Sequence, residues 1–196
     1  MTIAAFDLDG TITKRDTFIE FIRFTKGYLG LINGFLLYSP LLFLALIRFY
    51  PLWKVKEKLF SYHFKGLPLS VFDKYCEDFI RAIDTFVFED AVQEIKQHIQ
   101  NGNEVVIVSA SIENWIKPYA KTLGIKKVIG TKIVISDDEV SGRFMSANCK
   151  GMEKVNRLLA EFPQRVNYRL IAYGDSRGDK ELLQFADKAY YKRFNR

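Results

Sequence analysis

Only two cysteines, Cys76 and Cys149, occur in 196 residues, and they do not form a CxxC pair. That excludes a disulfide framework and leaves no zinc-binding pattern. The two histidines, His63 and His98, are far apart and stand in no metal-ligand spacing, so any metal has to be held by oxygen ligands. Internal repeats and low-complexity tracts are missing too. So is a secretory leader, because Asp7 and Asp9 fall where a basic start and an apolar core would be needed; the expectation is a cytoplasmic chain. Charge itself is missing from one long stretch, Gly27 to Ile47, which reads GYLGLINGFLLYSPLLFLALI.

What is present fits one folded domain of ordinary size with room for an insertion. The hydrophobic share is 48% and the formal net charge +6, a balance that favours anionic partners such as phosphate esters or acidic lipid surfaces. No nucleic-acid recognition motif or interleaved basic-aromatic stripe accompanies that charge, so no nucleic-acid partner is expected.

Three short apolar runs stop abruptly at polar residues: Thr2–Phe6 at Asp7, Glu104–Val108 at Ser109, and Arg169–Tyr173 at Gly174-Asp175. Runs of this form suit strands buried on both faces. Helical periodicity separates them over Asp90–Gln100, Ile112–Leu123 and Gly151–Phe162, and a hairpin of Lys132–Ile135 with Val140–Phe144 turns at Asp137-Asp138. The alternation predicts an α/β fold with an open, doubly wound, Rossmann-like parallel sheet. Residues 15–86 are helical in pattern and rich in Phe, Leu and Tyr. They read as a helical cap inserted after the first strand, leaving 1–14 and 87–196 as the core domain.

Ligands of such sheets bind beyond the carboxyl ends of the strands. The three strands deliver Asp7, Ser109 and Asp175 to that edge. Asp9 and Asp179 add carboxylates, and four acids in one crevice repel one another unless a hard cation is present. Oxygen-only ligands with water and a substrate phosphate describe Mg²⁺. A carboxylate can then attack phosphorus and form an aspartyl-phosphate that water hydrolyses. Ser109 can donate to the phosphoryl oxygens, aided by backbone N–H groups where the next helix starts. Lys150, in Asn148-Cys149-Lys150-Gly151, can neutralise further charge.

Asp7-Leu8-Asp9-Gly10-Thr11, the strand ending in Ser109, Lys150, and Gly174-Asp175-Ser176-Arg177-Gly178-Asp179 resemble the four ordered motifs of the haloacid dehalogenase superfamily. The Lys150-Gly151 context and the cap position are similar to its phosphoserine-phosphatase-like branch. The resemblance implies a Mg²⁺-dependent phosphomonoester hydrolase with Asp7 as nucleophile and Asp9 as general acid and base. It implies Asp7, Asp175 and the Asp9 backbone carbonyl on the metal, with Asp179 supporting it. Ser109, Ala110, Lys150 and Thr11 are the expected phosphoryl contacts, and Asp16 falls where phosphoserine phosphatases read the substrate amine. No arginine matches that branch's carboxylate-binding arginine, and Lys56 or Lys58 does not reproduce a bidentate grip.

The uncharged stretch is long enough for a membrane span. A span, however, would put Asp7 and Ser109 on opposite sides of a membrane. Asn33, Gly34 and Ser39-Pro40 suggest two helices of roughly 15 Å each, too short to cross a hydrocarbon core of about 30 Å. Two expectations stay open: a helical hairpin filling the cap or a homodimer contact, and an apolar surface in peripheral contact with an anionic membrane at the inner face, flanked by Arg48, Lys54, Lys56, Lys58 and Lys65. The second suits an amphiphilic phosphate, and the cap is similar to that of bacterial phosphatidylglycerophosphate phosphatases. A small soluble phosphate, transfer of the phosphoryl group to an alcohol, and a non-catalytic membrane-interaction module are the alternatives.

Overall fold

The computed structural model describes residues 1–145 and 148–195; Ser146, Ala147 and Arg196 of the expected core segment lie outside them. Strand β1 (Thr2–Phe6) is followed by helices α1 (Thr17–Leu46), α2 (Leu52–Phe64), α3 (Leu69–Asp78), α4 (Ile80–Asp84) and α5 (Glu89–Gln100). Then come β2 (Glu104–Ile112), α6 (Glu113–Thr122), β3 (Lys127–Thr131) and the hairpin β4 (Ile133–Ser136) and β5 (Glu139–Phe144). The chain closes with α7 (Met152–Glu161), β6 (Arg169–Gly174), α8 (Lys180–Phe185) and β7 (Lys188–Tyr191).

Five strands form one parallel sheet in the order β3-β2-β1-β6-β7. Side chains alternate across it as the strand period requires. Ala4, Phe6, Val105, Ile107 and Tyr173 enter the larger core, shared with α5, α6 and the cap. Ile3, Ala5, Val106, Val108, Leu170 and Ala172 enter the second core, under α7 and α8. The chain leaves β1 toward one edge and returns to its other side at β6, so the crevice beyond β1 and β6 is the switch point where such sheets bind ligands.

Two sequence expectations need correcting. The second strand does not stop at Ser109; β2 runs to Ile112, with its register against β3 shifted between Val108 and Ile112. The apolar stretch is not two short helices either. The break falls at Gly27, whose φ of 68° and ψ of 179° are open only to glycine. Tyr28 to Leu46 then continues unbroken through Asn33, Gly34 and Pro40, a length of about 28 Å at 1.5 Å per residue. Gly34 is tolerated because it lets α2 approach: a Cβ there would sit 2.6 Å from His63 Nε2.

Entry to and exit from the cap are stitched together, with Lys14 N–H donating to the Phe86 carbonyl and Phe88 N–H to that of Ile12. Inside the cap an aromatic cluster of Phe21, Phe60, Phe64, Phe72 and Phe79 closes on Trp115 of α6, which stacks on Phe21 at 4.6 Å. The hairpin turns at Asp137 and Asp138, both with positive φ, as a two-residue hairpin turn demands. It packs on α2, where Gly142 leaves space for Ser61.

Candidate active site

Asp7 stands at the first position beyond β1, 5% exposed, its N–H donating to the Tyr173 carbonyl of β6. The chain then turns tightly at Gly10, φ 85°, where a Cβ would come within 2.2 Å of Asp175 Oδ2. That close approach is why glycine follows the DxD. Beyond β6, the Ser176-Arg177-Gly178-Asp179 turn folds Asp179 back. Its Oδ2 accepts from Ser176 N–H and Oγ–H at 3.0 and 2.8 Å, and from Asp175 N–H at 3.3 Å. Asp7, Asp175 and Asp179 thus each present a carboxylate oxygen within 4.8 Å of the other two. Asp175 Oδ1 is buried without a hydrogen-bond partner.

Lys154 answers this acidity. It is 2% exposed, and its Nζ donates to Asp7 Oδ1 at 2.5 Å and Asp179 Oδ1 at 2.6 Å. Burial opposes its charge, but the two carboxylates win and hold the ammonium well above its ordinary range. Burial also pushes the Asp7 carboxyl up to about 7, with Asp179 and Asp9 adding to the rise and Lys154 opposing it. Asp175 is raised by burial and by Asp179. For Asp179 burial acts upward, yet Lys154 and the Ser176 donors bring it below the usual carboxylate range.

Asp9 faces the cap. Its Oδ1 accepts from Thr17 N–H at 2.7 Å and its Oδ2 from Ser111 Oγ–H at 2.6 Å. Burial, then the nearby Asp16, raises its carboxyl. Between cap and sheet edge lies a cavity of about 550 Å³. Asp7, Asp9, Ser109 and Ala110 line its floor, Lys150 and Asp179 one side, and Asp16, Lys56, Leu52 and Trp53 the cap side. Ser109 is fully buried and its Oγ accepts from Ser111 N–H, which leaves its own O–H for a ligand. The Ala110 carbonyl accepts from Lys56 Nζ at 3.1 Å.

Of the residues expected from sequence, Asp7, Asp9, Asp16, Ser109, Ala110, Lys150 and Asp179 line this one cavity, and Asp175 joins the carboxylate cluster behind it. Thr11 is brought close in the chain but is buried behind Gly10, next to Gly174 and Tyr190, away from the cavity. Asp16 caps α1 through Phe18 and Ile19 N–H and stands exposed at the rim. Lys150 is exposed and crosses Gly178, where a Cβ would meet its Cε at 2.7 Å. The buried cation is instead Lys154, one helical turn later, which the sequence motifs do not single out. A signal for it exists: Lys154 shares the apolar face of α7 with Leu158 at i+4, and both are buried. Ser111 is a second buried residue at the site that the motifs pass over, because the pattern ends the strand at Ser109.

A family profile described as haloacid dehalogenase-like hydrolase matches residues 4–184. Protein CicA of Caulobacter vibrioides is 32% identical over 194 residues, 98% of this chain and 86% of that one. The solved structure of a Bordetella pertussis protein of unknown function superposes with a TM-score of 0.82 at 19% identity, covering 96% of this chain and 89% of that one. A phosphoserine phosphatase solved as an analogue of its phospho-aspartyl intermediate gives a TM-score of 0.61 at 16% identity, over 96% of this chain and 84% of that one. The chain belongs to the haloacid dehalogenase-like hydrolase family. Its enzyme class is hydrolase.

Proposed function

We propose that this hydrolase is a phosphatase that cleaves phosphate monoesters in two steps, with Asp7 as nucleophile and Asp9 as general acid and base. The supporting observation is the placement of Asp7: buried at the switch point, held by Lys154, and facing a cavity that Asp9 also lines. A carboxylate oxygen of Asp7 attacks phosphorus while Asp9 gives its proton to the departing alkoxide, so an alcohol leaves and an aspartyl-phosphate remains. Asp9 then takes a proton from water, whose oxygen attacks the same phosphorus and frees both Asp7 and inorganic phosphate. Ser109 Oγ–H, the Ala110 backbone and Lys150 hold the phosphoryl oxygens, and Lys154 keeps Asp7 oriented.

An all-oxygen cluster with an unpartnered buried oxygen on Asp175 suits Mg²⁺. Asp7, Asp175 and the Asp9 carbonyl would hold it, with Asp179 in support, and it would supply positive charge against the phosphoryl oxygens. Asp7→Asn tests the mechanism. Turnover is expected to vanish while the melting temperature holds; unchanged turnover ends the proposal.

The substrate side of the reading is an amphiphilic phosphate, such as a phospholipid phosphomonoester, met by a cytoplasmic enzyme in peripheral contact with an anionic membrane through the cap (residues 15–86). The segment Thr17–Leu46 is long and apolar enough to cross a membrane, and only 6% of its most apolar window is buried. Crossing conflicts with its packing: Leu31, Phe35, Tyr38, Leu41, Leu42 and Ala45 lie against the cap core, and α2 runs back along them. That leaves Leu29, Leu36, Phe43 and Leu46 exposed along the other side. The turn after it projects Phe49, 82% exposed, beside Arg48, and Leu52 and Trp53 follow directly at the cavity mouth. No acidic residue lies between Glu20 and Glu57, whereas Arg23, Lys26, Arg48, Lys54 and Lys56 do. An apolar segment whose charged residues are all cations suits an anionic lipid surface.

Co-sedimentation decides this part. Binding to phosphatidylglycerol vesicles that weakens with salt, and little binding to phosphatidylcholine vesicles, is the expected result. A protein that stays in the supernatant, and forms a dimer lost on Leu36→Glu, instead assigns the face to a second copy.

A further inference from the structure

A file of buried hydrogen bonds ends on Asp9. The Trp115 indole N–H donates to Thr17 Oγ1 at 3.3 Å, Thr17 Oγ–H donates to Ser111 Oγ at 2.9 Å, and Ser111 Oγ–H donates to Asp9 Oδ2 at 2.6 Å. Thr17, Ser111 and Trp115 are each fully buried, so water does not compete for these groups. The direction of the file is set at its far end. An indole can donate but never accept. Reversing the file would leave the Thr17 hydroxyl proton without an acceptor, which is costly in a buried site. Asp9 Oδ1 is engaged in the same sense by Thr17 N–H at 2.7 Å, again a pure donor.

Both oxygens of Asp9 therefore accept from buried donors, one from Thr17 of the cap and the other from Ser111 of β2. A proton carried by Asp9 has only the remaining lone pairs, on the side of the cavity that Asp9 lines. The same residue serves the phosphoryl side, since Ser111 N–H donates to Ser109 Oγ at 3.0 Å and leaves the Ser109 hydroxyl proton free to point outward. We infer that Ser111 is a positioning residue for proton transfer, aligning the acid proton of Asp9 with the leaving-group oxygen, with Thr17 and Trp115 holding Ser111 in turn. The inference rests on the acid–base role proposed above for Asp9. No proton travels along the file: Asp9 gives its own proton to the alkoxide as the P–O bond breaks and regains one from the attacking water. The file also couples chemistry to cap placement, because Thr17 opens the cap helix α1 and Trp115 is stacked on Phe21 of that helix.

Leaving groups of different basicity test this. An aryl phosphate such as p-nitrophenyl phosphate departs without protonation, whereas hexyl phosphate needs the acid. With Mg²⁺ present, Ser111→Ala is expected to lower kcat for hexyl phosphate by about 10- to 100-fold, to change kcat for the aryl ester by less than about threefold, and to leave both KM values alone. Thr17→Val, nearly isosteric, should show the same pattern at smaller size, and it decides the matter if Ser111→Ala does not fold. Equal losses on the two esters, a change confined to KM, or no loss on hexyl phosphate overturns the inference. Asp7→Asn in the same assays keeps the two failures apart: activity surviving there removes the parent reading, whatever Ser111 does.

Discussion

Strand β1 and the helical stretch Tyr28–Leu46 are both built almost entirely of apolar residues, yet they end in opposite environments. Ile3, Ala4, Ala5 and Phe6 are fully buried, between two cores that the chain itself supplies. In the helix only Gly34 is buried, while Leu29, Leu36 and Leu46 are 77%, 67% and 79% exposed. A central strand of a doubly wound sheet has covering elements on both faces. A helix at the outside of a cap packs mainly on α2, and its remaining apolar side is left for something outside the chain. The active site lies between these two regimes, with a buried ionic floor from the sheet and a half-apolar roof from the cap.

Substitutions on either side of this contrast should differ widely in effect. Asp7→Asn acts on the sheet side and is expected to cost on the order of 10⁴-fold or more in kcat, with little change in melting temperature. Phe60→Ala, in the buried half of the cap, should lower stability by about 3 to 5 kcal/mol in denaturant titration. Lys154→Met leaves Asp7 and Asp179 buried without their cation, an expected loss of about 3 kcal/mol or more. Part of that loss should return when Mg²⁺ is added during the melt. At the other extreme, Phe49→Ala should stay within about 0.5 kcal/mol of the parent protein, because the ring is 82% exposed. A large loss there would show that the tip is packed in solution and that the contrast between the two apolar regions is false.

The finest test is pH. Burial beside Gly34, with Lys26 nearby, lowers the His63 imidazole from 6.5 to about 4. The folded state then holds it neutral while the unfolded chain protonates it, so its stabilising contribution is complete above pH 6.5 and declines as pH falls toward 4. Thermal melts across that window should show the decline, and His63→Gln should flatten that share of it.

Much of the sheet edge is legible in the sequence alone. β1 coincides with its apolar run, and Asp7, Ser109 and Asp175 reach one edge because β1, β2 and β6 run parallel in matching register, although β2 continues past Ser109. Lys154 is not legible in the same way. Lys150 and Lys154 differ by one helical turn, and only the docking of α7 decides which of them is buried against Asp7. Ser111 is hidden for a similar reason: β2 continues past Ser109, and the file from Trp115 to Asp9 joins residues far apart in the chain. The helix break is misplaced in the sequence pattern because Asn33, Gly34 and Pro40 are local breakers that packing on α2 overrides, whereas Gly27 has a backbone conformation that no neighbour predicts.

The strand–helix alternation, the acidic residues at strand ends and the uncharged stretch in the cap follow from the sequence without further help, since each is a property of neighbouring residues. Which lysine neutralises Asp7, which way Asp9 points and which side of the cap helix stays uncovered are matters for the tertiary structure. Those depend on where distant elements dock, and burial and hydrogen-bond direction exist only once they have.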